Sequence, residues 1–137
     1  MTSSLVGSEM CIRDSLYLVR IAEQPGMIQE ELSDLLKVDR STVARSVKKL
    51  EERGLIQQRP RGENLKTKEW ELTEKGKQIY PFILGEHLYS ERTALKGFSK
   101  KEVAQLEEYL IRVRENITLD WELVKKGKKR NYSEVKQ

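Results

Sequence analysis

Apolar residues recur every three or four positions along most of this chain and give way to alternation over one short stretch. That change of period, helix to strand and back, lays out the elements. Leu18, Ile21 and Ala22 share one face of residues 16–23, a short helix that Gln24-Pro25-Gly26 stops. From about Ile28 to Leu36, Leu32, Leu35 and Leu36 are expected inward, with Glu30, Glu31 and Asp34 in water. After Lys37-Val38, Asp39 suits an N-cap and Gly54 the left-handed position past a helix end. Between them Val43, Val47 and Leu50 form a narrow apolar stripe. At about 100° per residue, Ser41, Arg45, Lys48 and Glu52 point away from that stripe, and Thr42 and Lys49 flank it.

Beyond Gly54 the pattern alternates. Residues 55–59 and 69–72 read as two short strands, and the turn formers and cations of residues 60–68 lie between them as a long, positively charged hairpin tip. Thr73 then caps a helix over residues 74–95, apolar at Ile79, Phe82, Ile83, Leu88 and Leu95, with Pro81 expected to kink it and Gly97 to end it. Ser99 and Glu102 have capping-box spacing and open a helix to about Lys126. Val103, Leu106, Leu110, Val113, Ile117, Trp121 and Val124 step along it by three or four. A stripe sustained that far calls for a partner helix, either residues 74–95 of the same chain or a second copy. The two answers are compatible on different parts of the helix.

Two short helices joined by a three- or four-residue turn are a helix-turn-helix unit, and a basic hairpin directly after the second helix reads as a wing. The expected fold is therefore mainly α with a small β-hairpin (α+β), a winged helix-turn-helix flanked by long dimerisation helices. Residues 16–97 hold the winged unit and the following helix, 98–126 the dimerisation helix, and 127–137 a basic mobile tail. Residues 1–15 show no sustained period and are expected to be irregular. The string 6–15 reads as a translated sequencing-adaptor artefact, and Cys11 falls within it.

Charge sharpens this picture. The net charge is only +4, yet residues 37–68 carry ten Lys/Arg against four Asp/Glu, and residues 125–137 carry six against one. Cations gathered in one block and one tail of an otherwise acidic chain favour a polyanion partner. A helix whose outward face is small, hydroxylated and basic near its N-terminus suits a major groove. The residues expected to touch DNA are Arg40, Ser41, Thr42, Arg45, Lys48 and Lys49 on the helix, with Arg59, Arg61, Lys66 and Lys68 on the hairpin. Val103, Leu106, Leu110, Val113, Ile117 and Trp121 are expected at a dimer interface. One Cys and one His exclude a disulfide framework and a typical zinc site, no apolar run approaches a membrane span, and a cytoplasmic address is expected.

The sequence 39–56, Asp-Arg-Ser-Thr-Val-Ala-Arg-Ser-Val-Lys-Lys-Leu-Glu-Glu-Arg-Gly-Leu-Ile, and Trp70-Glu-Leu-Thr-Glu-Lys-Gly76, joined by a basic wing, resemble the MarR family of winged-helix transcriptional regulators. The resemblance covers roughly residues 16–126. It implies a homodimer on a pseudo-palindromic operator, most often a repressor, released by a small ligand or by oxidation of a thiol. The chain departs from the family in two ways. The family's wing tip usually reads Asp-x-Arg where this chain has Asn64 and Lys66, and a lysine lacks the planar fork of arginine. The family's amino-terminal helix, which braids into the dimer interface, is expected to be missing or replaced here.

Other classes fare less well. A protein-interaction module would use the long helix and keep the winged unit as scaffold, but interface cores tend to be depleted of Lys, and the outward faces here are rich in it. An enzyme would need a catalytic constellation, and no Ser-His-Asp arrangement, phosphate loop or metal cluster appears. His87 beside Glu86 reads as a surface or interface histidine. No cofactor is implied. Tyr17, Tyr80, Tyr89 and Arg92 have the size and polarity to line an effector pocket.

Overall fold

The structure, a computed structural model, describes residues 12–135, so the expectations for Cys11 lie outside the described residues. Contacts divide the chain into two units, Met1–Ala94 and Leu95–Gln137. The first contains α1 (Ile12–Glu23), α2 (Gln29–Leu36), α3 (Arg40–Glu52), β1 (Ile56–Arg61), β2 (Asn64–Leu72) and α4 (Glu74–Ala94). Its core joins Leu18 and Ile21 of α1, Leu32 of α2, Val43, Val47 and Leu50 of α3, Ile56, Trp70 and Ile83, all buried. The stripe read from the sequence of α3 is thus the face that the unit closes around.

Local chemistry fixes the turns. Lys37 takes a left-handed φ of 54° and ends α2, and the Val38 amide donates to the Ser33 carbonyl at 3.2 Å. Asp39 then caps α3 by accepting from the Thr42 amide at 2.9 Å. At the far end Gly54, with φ 72°, lets the Leu55 amide return to the Leu50 carbonyl at 3.0 Å. The hairpin is closed against this turn. Thr73 donates its amide to the Leu55 carbonyl at 3.1 Å and caps α4 by accepting from the Gly76 amide at 3.1 Å. A Cβ on Gly76 would stand 2.0 Å from the Leu55 carbonyl oxygen, so only glycine fits there.

Three expectations need correction. α1 begins at Ile12 rather than residue 16, and Asp14 and Ser15, expected irregular, are buried helical residues. Leu35 is exposed (42 %), because Leu32 and Leu36 already fill the inward row one turn apart and Leu35 falls on its flank. The strands also run much further into the wing than residues 55–59 and 69–72. Pro60 pairs opposite Lys68, an acceptable place for a residue without an N–H because each strand of this two-stranded sheet is an edge. Gly62, at φ 57°, and Glu63 make a two-residue turn between Arg61 and Asn64. What had looked like a long loop is mostly paired backbone.

The second unit contains α5 (Lys100–Lys125), opened by the expected capping box: Ser99 Oγ accepts from the Glu102 amide at 3.1 Å, and Glu102 accepts from the Ser99 amide at 2.7 Å. None of its residues is buried. Gly127 then turns the backbone, and Arg130 comes back to Asp120 with a two-pronged contact at 2.6 and 3.2 Å. A single 3-10 turn, Tyr132–Glu134, follows.

Candidate nucleic-acid interface

All ten residues expected to touch DNA lie on α3 and the hairpin, Thr42 and Lys49 on the flank of α3 rather than its outward face, and their electrostatic situations differ sharply. Asp39 gathers the N-terminal hydroxyls: Ser41 donates to one carboxylate oxygen and Thr42 to the other, the latter at 2.6 Å. These bonds, that of Ser41 foremost, hold the Asp39 carboxyl below the usual range. Arg45 is exposed and leans on Thr42 Oγ1 at 3.3 Å, with no acidic partner among the described residues. Arg40 reaches Glu30 at 2.5 Å, Lys48 reaches Glu52 at 3.9 Å, and Lys49 lies 4.0 Å from the buried carboxylate of Asp14. The Arg40 and Lys48 pairs are mostly in water and worth about 0.2–1 kcal/mol each, so a phosphate can displace their acids.

The hairpin arginines are held differently. Arg59 donates from Nε to Glu69 at 2.6 Å, and its terminal nitrogen forms an ion pair with Glu71 at 3.0 Å. Arg61 donates to Glu31 at 2.9 Å and approaches Glu69 at 4.0 Å. Glu69 is itself buried, and leaving a buried carboxylate unpaired costs about 3–5 kcal/mol, so Arg59 is not released as Arg40 is. The wing tip is freer. Asn64 Oδ1 accepts from the amides of Lys66 (3.0 Å) and Thr67 (3.4 Å), its Nδ2 donates to Thr67 Oγ1 at 2.9 Å, and the register slips here so that residues 65–67 bulge outward. Lys66 on this bulge and Lys68 just past it are exposed, with no ion pair among the described residues. The asparagine at the family's aspartate position is therefore a backbone organiser that displays Lys66.

Sequence reasoning missed the acids behind these cations. Glu31 and Glu69 carried no signal as single residues; the alternation of Arg59 and Arg61 on β1 with Glu69 and Glu71 on β2 was the available clue. Tyr17, considered for an effector pocket, is instead core. Burial raises its pKa, against the effect of a hydrogen bond with Ser46 of α3. Tyr89 is exposed, while Tyr80 lines a cleft of about 470 Å³ with Ile21, Pro25, Gln57, Leu72 and Lys77. His87 is half-buried, its Nε2 3.1 Å from Ser15 Oγ. No acidic, His or Cys cluster suited to a metal occurs among the described residues, and no described helix is long and apolar enough to cross a membrane.

A helix-turn-helix whose second helix presents cations outward, followed at once by a hairpin with exposed lysines near its tip, is a winged helix-turn-helix unit. Residues 13–68 match the model of the MarR family. The chain is 52 % identical over 117 residues to the uncharacterized HTH-type transcriptional regulator YybA of Bacillus subtilis, covering 85 % of this chain and 78 % of that one. Its fold is similar to a SlyA-like transcription regulator from Listeria monocytogenes, at TM-score 0.82 and 50 % identity over 87 % of this chain and 79 % of the other. A second structure from Listeria monocytogenes, of a MarR family transcriptional regulator complexed with 26mer DNA, matches at TM-score 0.81 and 50 % identity, with the same 87 % and 79 % coverage. The chain belongs to the MarR family of transcriptional regulators.

Proposed function

We propose that this chain binds double-stranded DNA as a homodimer on a pseudo-palindromic operator and acts there as a repressor, in the cytoplasm and without catalysis. The observation that carries the reading is the outward face of α3, where Arg45 stands exposed and free of any acidic partner among the described residues. Such a side chain near a helix N-terminus suits base edges, and Lys66 and Lys68 suit phosphates or the minor groove beside them. That a relative of 50 % identity was crystallised with DNA supports it. The exposed apolar row Leu110, Val113 and Ile117, continuing that of Val103, Leu106 and Trp121, supports a second copy of α5 as partner. A small-molecule effector would fit the cleft at the root of the hairpin, where occupancy would bear on the strands that carry the wing.

The test is selection of bound DNA from random sequence, followed by binding of Arg45→Ala to the enriched site and to random DNA at one salt concentration. The substitution should cost about 1–3 kcal/mol of discrimination, with specific binding falling much more than non-specific. Equal losses on both would demote Arg45 to a phosphate contact, and recovery of no motif would refute a sequence-specific regulator.

A further inference from the structure

The wing is fastened to the helix-turn-helix twice. Near its root the Gly26 amide donates to the Trp70 carbonyl at 3.0 Å, and the Trp70 amide to the Met27 carbonyl at 2.8 Å, so the α1–α2 loop pairs with β2. Further out, a row of charges takes over from the backbone: Glu71, Arg59, Glu69, Arg61 and then Glu31 on α2. Glu31 closes this row while also accepting the Ile28 amide at 2.9 Å, at the start of α2. Gly26 makes room for the row's middle member, because a Cβ there would lie 3.2 Å from Glu69 Oε2, and its φ of 90° suits glycine alone. The row holds three carboxylates and two guanidiniums. It is not a cationic surface, although Arg59 and Arg61 look like one in the sequence.

We infer that Glu31 and Arg61 form a strut that sets the wing's height above the helix-turn-helix, making Glu31 a positioning residue for DNA binding and Arg61 no phosphate contact. The inference rests on the DNA-binding reading given above. Glu31 lies on the helix preceding α3, so the strut fixes the tip lysines relative to the two-helix unit itself. Held by backbone bonds at the root and by an ion pair at the far end of β1, the wing presents Lys66 and Lys68 already placed, and DNA need not order them.

Glu31→Gln separates this from simple charge. It takes a negative charge off the protein, which by itself strengthens binding to any polyanion. Glutamine still caps the start of α2, so that helix is preserved. The strut requires the opposite sign: operator affinity should fall about three- to fivefold, the scale of one half-exposed ion pair. Arg61→Gln should lower affinity by a similar factor while leaving the slope of log K against log salt at the wild-type value, whereas removing a cation that neutralises a phosphate lowers it by about one. Tighter or unchanged binding by Glu31→Gln, or a shallower slope for Arg61→Gln, overturns the strut. Hydrogen exchange without DNA gives an arm independent of any operator. In Glu31→Gln the amides of β1 and β2 beyond the root should exchange faster while those of α1 and α3 keep their rates, and unchanged hairpin exchange overturns the strut even in a chain that binds no DNA.

Discussion

α3 and α5 carry apolar stripes of the same kind, stepping by three or four residues, and meet opposite fates. In α3, Val43, Val47 and Leu50 are all fully or nearly fully buried, and Leu50 is 0 % exposed. In α5, twice as long at 26 residues against 13, none is buried, and Leu110 is 58 % exposed. Periodicity therefore tells which face of a helix is apolar but not what covers it. For α3 the cover lies in the same chain: α1, α2 and the hairpin root all pack on it. For α5 nothing in its own unit covers the row of leucine, valine and isoleucine, and the proposed cover is a symmetric second copy.

The sharpest way to break this contrast is Leu110→Asp. In a paired α5 it buries an unpaired charge, which costs several kcal/mol, and the cost is incurred once per subunit. Sedimentation should show a dimer becoming a monomer while circular dichroism shows a folded winged unit, and operator affinity should drop with every DNA-facing residue intact. A wild-type chain that already sediments as a monomer would leave α5 without the partner argued for it. The complementary experiment is Leu50→Ala in α3. Removing a fully buried leucine should cost about 2–5 kcal/mol of stability in urea unfolding, a loss that a second copy cannot make good. A loss under about 0.5 kcal/mol would mean that the core tolerates a surface-like change there and would erase the contrast.

How much was legible follows from the same physics. The caps of α3 and α5, the turn at Gly54 and the order of elements are local, and Asp39, Gly54, Ser99 and Glu102 announced them. The inward stripe of α3 was legible because a single face is buried. Leu35 was misread because α2 needs only Leu32 and Leu36 to fill its contact, a fact set by neighbours rather than by period. The hairpin was recognised but cut short, since Pro60, Gly62 and Asn64 signal turns wherever they stand, and only the partner strand shows that Pro60 is paired. In the candidate interface, sequence found the cations and could not find their acids. Whether an arginine faces DNA or a carboxylate depends on residues thirty positions away, as Arg61 and Glu31 show.

The division of the wing between held arginines and free lysines yields a smaller effect. Lys66→Ala with Lys68→Ala should weaken binding to all sequences and reduce the slope of log K against log salt by about two, one for each phosphate no longer neutralised. Fluorescence anisotropy across a salt series measures it. An unchanged slope would place the tip in solvent and leave α3 to bind alone.

The smallest effect is expected in acid, and it concerns the caps that make the winged unit's helices start where they do. The Glu31 carboxyl is held below its ordinary 4.5, first by the Ile28 amide and then by Arg61, and the Asp39 carboxyl below its ordinary 3.8, first by the Ser41 hydroxyl and then by Thr42. For both groups the folded state binds its proton less readily than the unfolded chain. Each therefore contributes stability that is complete above the ordinary value and is lost as pH falls through the lowered one. Unfolding midpoints followed from about pH 6 to about pH 3 should accordingly fall more steeply in the wild type than in Asp39→Asn or Glu31→Gln. Asparagine and glutamine keep the caps without titrating, so the variants isolate the charge from the hydrogen bond. Asp39 is fully exposed, and solvent screens its share, so Glu31→Gln should flatten the acid limb at least as much. Parallel acid limbs in all three proteins would show that these carboxylates position α2 and α3 without contributing pH-dependent stability.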